Sequence, residues 1–310
     1  MKLYFAPLEG ITTATYRNTH NQMFEDVDAY YAPFVNPSEQ EKISKKGMRD
    51  ILPERNEGIN LKIQILTNNA ASFLRFIEKV KPMGYDEINI NLGCPASTVV
   101  RKGRGSGFLQ YPQLIDEFLY EIFEKSDIKI SLKTRIGYSS PNEMEELLRI
   151  YNKYKASLLI VHPRTREDFY KGEPDMDTFA RVYADSENPL CYNGNVYTVE
   201  DYKRIEADFG SLDSVMLGRG AIANPALFRE IRGGNRITTE EIVEFSKKLC
   251  ENYNAILDSD TFTLHKLKEV WVYMIENYPQ EKKIAKAIKK ANKLRDFMAA
   301  IECLPEIAAR

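Results

Sequence analysis

Cys94 follows a run in which Ile88, Ile90 and Leu92 alternate with polar residues before the chain breaks into Gly93-Cys94-Pro95. That pattern reads as a buried strand ending on a thiol. Most free cysteines only fill space, so this one matters only if its position brings it to other reactive groups. Three such groups stand out. Lys133 lies inside the strand-like run Ile130-Ser131-Leu132-Lys133-Thr134-Arg135, where an ammonium must either snorkel to water or meet negative charge. His162 follows the apolar run 158–161, and two Gly-Arg or Gly-Asn clusters, Asn193-Gly194-Asn195 and Gly218-Arg219, end later runs. A thiol beside an imidazole can serve acyl transfer. A thiol beside a cation and a phosphate-type loop can instead donate a proton during reduction.

The elements that must position these groups are eight short β-rich runs, at residues 2–7, 28–35, 61–66, 87–91, 129–135, 158–163, 190–195 and 214–219. Amphipathic helical patterns fall between most of them. Phe73, Phe76, Ile77 and Val80 keep helical spacing, with Gly84 placed to end the helix. Pro112 suits a first helical position ahead of Leu114, Ile115, Phe118, Leu119, Ile122 and Phe123. Ser140 with Glu143, and Thr198 with Asp201, read as capping boxes. Asn224-Pro225 opens another helix, and only residues 37–58 give a doubtful unit. Eight strands alternating with helices predict an α/β fold of the TIM type, a (β/α)₈ barrel, rather than an open sheet, whose first turn would usually be glycine-rich.

Barrel chemistry sits at the C-terminal strand ends. Here those ends are Pro7, Gln64, Asn91, Lys133, His162, Asn193 and Gly218-Arg219, polar or glycine almost throughout. The seventh and eighth suit a phosphate, because glycine backbone approaches closely and Arg219 offers two parallel donors. Lys133 would face the anionic N1/O2 edge of a reduced flavin, contributing about 4 kcal/mol at ~4 Å and an effective dielectric near 20. A structural ion pair is the plain alternative for it, and an ordinary hydrogen-bonded histidine the alternative for His162. A thiol near its usual pKa is mostly protonated at neutral pH, which suits adding a proton beside a flavin-derived hydride across an activated C=C bond. The Cys94/His162 dyad is the rival, and it leaves Lys133, Gln64 and the phosphate loops without a role. The glycine-rich basic segment from Arg101 to Gly107 is expected to be a mobile lid.

From Thr238 the strands stop. Thr238 with Glu241 makes a further capping box, and Ile242, Phe245, Leu249 and Tyr253 continue a helix. Lys282, Lys283, Lys286, Lys289, Lys290, Lys293 and Arg295 follow without an acidic residue between the first and last, over a stripe of Ile284, Ala287, Ala291 and Leu294. A solvated helix face is the bland reading; beside a basic lid it reads as a phosphate-backbone docking surface. The net charge of −2 argues against a uniformly basic nucleic-acid binder, and 43% hydrophobic residues fit a globular chain. No apolar run approaches the ~20 residues of a bilayer span and the N-terminus has no signal-peptide pattern, so a cytoplasmic protein is expected. Cys94, Cys191, Cys250 and Cys303 form no CxxC pair, and no metal is expected.

These motifs in this order resemble the tRNA-dihydrouridine synthases: Ala6-Pro7-Leu8-Glu9-Gly10, Ile63-Gln64-Ile65, Asn91-Leu92-Gly93-Cys94-Pro95, Lys133-Thr134-Arg135-Ile136-Gly137, Val161-His162-Pro163-Arg164-Thr165-Arg166, Asn193-Gly194-Asn195 and Gly218-Arg219-Gly220. Leu8, where that family usually has Met, and Asn195, where Asp is common, depart from the pattern. The resemblance implies FMN held by Pro7, Leu8, Glu9, Gln64, Lys133, His162, Asn193, Gly194, Asn195, Gly218 and Arg219, with Cys94 as general acid. It also implies Asn91, Arg135, Arg164 and Arg166 at the base or RNA, NADPH as reductant and tRNA as substrate. A catalytic barrel over residues 1–235 and a helical RNA-binding domain over 236–310 follow, with a monomer favoured. Two other functions remain open on the residues alone: flavin-dependent reduction of a free pyrimidine or other small enone, and noncatalytic RNA binding on a barrel scaffold.

Overall fold

A computed structural model describes residues 1–37 and 45–306. Eight parallel strands close into one barrel in chain order. They are β1 (Lys2–Phe5), β2 (Ala29–Tyr31), β3 (Leu61–Ile65), β4 (Glu87–Leu92), β5 (Lys129–Gly137), β6 (Leu159–Thr165), β7 (Leu190–Tyr192) and β8 (Ser214–Leu217). Each coincides with a predicted run, and β2 and β7 are shorter than expected because the polar or proline-containing ends of their runs leave the sheet.

Strand side chains alternate between two faces, and the two hydrophobic clusters separate accordingly. Leu3, Phe5, Ile63, Ile65, Ile88, Ile90, Leu132, Leu159, Val161, Val215 and Leu217 belong to the large core between strands and helices. Ala6, Ala29, Tyr31, Leu158, Ile160, Cys191 and Met216 fill the barrel interior. That phase carries the interior residues further along each strand, Gln64, Asn91, Lys133, His162 and Asn193, to the C-terminal mouth.

The surrounding helices are α1 (Ala14–Met23), α2 (Lys45–Asp50), α3 (Ala70–Val80), α4 (Ser97–Val100), α5 (Pro112–Lys125), α6 (Glu143–Tyr151), α7 (Met176–Asp185), α8 (Val199–Asp208), α9 (Arg219–Ala223) and α10 (Leu227–Ile231). Phe73, Phe76, Ile77 and Val80 are buried as their spacing predicts, whereas Leu114 on α5 is exposed. Thr198 and Asp201 form the expected capping box. Ser140 and Glu143 do not, because α6 begins only at Glu143. The Glu143 carboxylate instead accepts from the backbone N–H groups of Tyr138, Ser139 and Ser140. Within the doubtful second unit, residues 38–44 lie outside the described residues. Its remainder is tied down by Arg17 of α1, wholly buried, which donates to the Asp50 carboxylate at 3.0 Å and to Asn56 Oδ1 at 2.7 Å.

Four helices close the described chain: α11 (Thr239–Leu257), α12 (Asp260–Met274), α13 (Lys282–Lys290) and α14 (Leu294–Glu302). The Thr238/Glu241 capping box starts the first. Phe245 of α11 meets Tyr16 and Phe24 edge-on, with ring centroids 5.7 and 5.4 Å apart. The C-terminal helices thus share the barrel's core. The expected basic helix is two helices, broken over 291–293, and its apolar stripe shifts: Ala287 is exposed and Ile288 is buried. Its seven basic side chains, Lys282 to Arg295, are all exposed. The last four residues of the expected helical domain, 307–310, lie outside the described residues. No described helix is long and apolar enough to cross a membrane.

Candidate active site

At the C-terminal ends of the strands the barrel opens into a cavity of about 550 Å³. Pro7, Leu8, Glu9, Gln64, Asn91, Cys94, Lys133, Arg135, His162, Asn193, Gly194, Gly218 and Arg219 line it. Asn195, Arg164 and Arg166 do not. Asn195 stands directly behind it, its Oδ1 accepting from Arg219 Nη2 at 3.1 Å and Arg164 Nη2 at 3.2 Å.

The thiol is held by a chain of amides. Asn91 Oδ1 accepts from the backbone N–H of Gly93 at 3.0 Å and of Cys94 at 2.9 Å. Its Nδ2 donates to Gln64 Oε1, Gln64 Nε2 donates to Asn89 Oδ1, and Asn89 Nδ2 donates to Ser131 Oγ, at 2.8, 2.7 and 2.9 Å. Every amide orientation in the relay is therefore fixed, and the turn bearing Cys94 inherits that order. Burial pushes the Cys94 thiol above its ordinary pKa, against the opposing pull of the Ala96 backbone and the Arg135 and Lys133 cations. The group stays protonated at neutral pH.

Of the expected lid, Arg101 and Lys102 are exposed, whereas Gly105, Ser106 and Gly107 pack against the thiol loop. Ser106 donates to the Cys94 carbonyl through both its N–H (3.1 Å) and its Oγ (2.8 Å), and Phe108 and Leu109 are buried. Gly105 and Gly107 are present for close approach: a Cβ there would stand 2.9 Å from Cys94 O and 2.7 Å from Val100 O. Glycine here lets a wrapped turn press on the thiol loop, which a reading of glycine as freedom alone mistakes.

Opposite the thiol, cations dominate. Lys133 has its pKa lowered to about 8, first by burial and then by Arg135. No carboxylate is ion-paired with it among the described residues. Arg135, 1% exposed, spends its donors on the Gly93, Thr165 and Phe169 carbonyls at 2.8, 2.8 and 2.7 Å. It thereby stitches the thiol loop to the segment after β6. Burial, followed by Arg135, Lys133, Arg164 and Arg219, holds His162 well below the ordinary imidazole pKa, so the ring is neutral. Arg166 lies over the rings of Tyr138 and Phe169 at 5.3 and 5.1 Å.

The sequence motifs leave out four aromatic residues of the lining, Phe34, Phe169, Tyr170 and Tyr273, of which two bear most on the site. Tyr170 lies between the guanidinium groups of Arg135 and Arg219, at 5.2 and 5.1 Å from its ring centre. Tyr273 reaches the cavity from α12. The Phe169-Tyr170 pair in an otherwise polar loop was a usable signal for the first; nothing local marks the second.

A family model described as dihydrouridine synthase matches residues 4–307. The chain belongs to that family. It is accordingly an oxidoreductase, and the resemblance read from its motifs is borne out. It is 27% identical over 259 residues to the tRNA-dihydrouridine synthase B of Pasteurella multocida, covering 83% of this chain and 75% of that one. It is 26% identical over 323 residues to the tRNA-dihydrouridine(16) synthase of Cupriavidus necator, covering 99% and 98%. Among solved structures, the old yellow enzyme from Trypanosoma cruzi superposes with a TM-score of 0.53 at 11% identity, over 82% of this chain and 93% of that one. At that identity the likeness concerns the barrel fold.

For a dihydrouridine synthase the fit of the cavity to a phosphorylated flavin can be judged on its own donors. A half-buried lysine with no carboxylate ion-paired to it among the described residues, a neutral histidine and Arg219 beside glycine backbone form a donor set for an anionic, acceptor-rich planar group. The residues present fit such a cofactor.

Proposed function

We propose that this chain is an FMN-dependent tRNA-dihydrouridine synthase that reduces the C5=C6 bond of uridine in tRNA, with NADPH as reductant and Cys94 as general acid. The observation that carries this reading is the shared cavity of a thiol kept protonated by burial and an ammonium to which no carboxylate is ion-paired among the described residues. Pro7, Leu8, Glu9, Gln64, Lys133 and His162 would hold the flavin ring, and Asn193, Gly194, Asn195, Gly218 and Arg219 its phosphate arm. When bound, the flavin supplies the hydride.

The chain's own residues do the rest. Lys133 offsets negative charge on the ring edge. Cys94 hands its proton to uracil C5, and its thiolate is then stabilised by the Ala96 N–H, Arg135 and Lys133, the groups that already oppose its raised pKa. A uridine must leave its stack to reach the cavity, at a cost of a few kcal/mol. The exposed lysines of α13 would offset part of that through phosphate contacts, within a helical RNA-binding region over 236–310. Such a substrate is met in the cytoplasm.

The test is direct. Dihydrouridine is mapped in tRNA from cells with and without the gene, and the purified protein is examined for bound flavin. Unchanged tRNA, together with a protein that takes up no FMN, would sink the proposal. Turnover of a free pyrimidine but not of tRNA would favour the small-substrate reading.

A further inference from the structure

Arg164 does not line the cavity, yet it meets the cavity histidine, His162, from behind. Arg164 is 2% exposed. Its Nε donates to the Lys171 carbonyl at 3.1 Å and its Nη2 to the Gly172 carbonyl at 2.6 Å, which fixes the guanidinium plane. Its Nη1 lies 2.9 Å from His162 Nε2. A guanidinium has donors only and does not give up its charge. His162 Nε2 must therefore present a lone pair, which excludes both the imidazolium and the Nε2–H tautomer. The ring's one proton is on Nδ1, for which no hydrogen bond exists among the described residues.

We propose that Arg164 is a positioning residue that locks His162 as the neutral Nδ1–H tautomer, so that the cavity recognises a hydrogen-bond acceptor atom of its ligand at this point. Resting on the flavin reading above, that acceptor belongs to the isoalloxazine ring. Two consequences follow. His162 holds its proton rather than trading it, so Cys94 has no competitor as acid. The basic nitrogen of His162 is already engaged by Arg164, which removes the base that a thiol-imidazole nucleophile would need.

The molecule contains its own contrast. His20, buried on α1, meets the Pro225 carbonyl through Nε2 at 2.8 Å and the Tyr30 hydroxyl through Nδ1 at 2.7 Å. A carbonyl only accepts, so Nε2 carries a proton, and burial lowers the ring's pKa to about 4, which leaves His20 as the neutral Nε2–H tautomer. His265 is exposed. Three histidines thus give three separate signatures.

Long-range proton–nitrogen spectra of ¹⁵N-histidine-labelled protein at neutral pH, before any flavin is added, are expected to show one Nδ1–H ring, one Nε2–H ring and one averaging ring. The Nδ1–H signal should vanish in His162→Asn. A cavity histidine found as Nε2–H or as imidazolium overturns the proposal, whether or not the protein binds flavin. The functional arm uses FMN affinity. Arg164→Met should let the His162 ring populate both tautomers and weaken FMN binding roughly tenfold, with Arg164→Lys partly restoring both. His162→Asn removes the ring and should itself weaken FMN binding, and adding Arg164→Met to that background should cost little more, because the ring that Arg164 positions is already gone. An equal loss in both backgrounds would make Arg164 a brace only, and the proposal would fall. Absence of FMN binding in the parent protein would instead remove the flavin reading and leave the tautomer result standing.

Discussion

The barrel has two interior halves built on the same strands. Near the floor, Ala29, Tyr31, Leu158, Ile160, Cys191 and Met216 pack against one another. One or two inward positions further along, the interior becomes Gln64, Asn91, Lys133, His162 and Asn193. Two thiols mark the difference. Cys191 is fully buried and its pKa is pushed up to about 12 by desolvation. Cys94 is half-buried at the mouth, with nearby cations opposing the same effect. The residue type is shared; the environment separates the two thiols.

The sharpest break of that contrast is Cys94→Ala. Dihydrouridine formation should fall by about 10²–10⁴-fold, while FMN binding and melting temperature stay near those of the parent, as measured by flavin titration and thermal unfolding. Ile160→Ala on the floor should do the reverse. Unfolding in denaturant should lose about 2–5 kcal/mol, with turnover per folded molecule little altered. If the floor variant loses turnover while stable, or the mouth variant loses stability, the division into two halves is wrong.

Lys133→Met places floor chemistry at the mouth. FMN affinity should drop by roughly ten- to a hundredfold, the range for losing a charged hydrogen bond. The flavin-free protein should melt higher, because a desolvated cation with no carboxylate ion-paired to it among the described residues is gone. The pH dependence has matching signs. Lys133 titrates at about 8 in the folded chain against an ordinary 10.5, so between those values the unfolded chain binds the extra proton. Stability without flavin should therefore gain from this group as pH rises from about 8 to 10.5. Affinity for an anionic flavin should fall over the same window. Titrations that leave affinity flat across it would count against Lys133 as the cation at the ring.

Period-two alternation made the strand ends legible, because one phase runs continuously from apolar floor to polar mouth. Helices whose inward faces are polar were harder to see. Tyr16, Arg17, Thr19 and His20 of α1 are all buried, yet Arg17 depends on distant Asp50 and Asn56 besides the nearby Thr12 carbonyl, and His20 on Tyr30 and Pro225. No local pattern announces such a helix. The C-terminal contribution was hidden for the same reason: Tyr273 joins the cavity through packing between elements far apart in the chain. The family resemblance implies Arg164 at the base or RNA, and its burial was not legible because it depends on carbonyls that the loop after β6 folds back to present.

The smallest expected effect tests whether the cationic mouth extends outward onto α13. Lys286, Lys289 and Lys290 are exposed there, and Lys268 caps the end of that helix by donating to the Lys289 and Ala291 carbonyls. The helix is therefore held in place independently of its charges, so replacing the three lysines by glutamine should leave melting unchanged. If they meet phosphates, kcat/KM for tRNA should fall several-fold, and its dependence on salt should become shallower in proportion to how many phosphates the three side chains neutralise. Turnover at saturating tRNA should hold, because nothing in the cavity has moved. A fall in kcat/KM with the salt slope unchanged would mean that these lysines act on the shape of the helix and that the charge of the mouth ends at its rim.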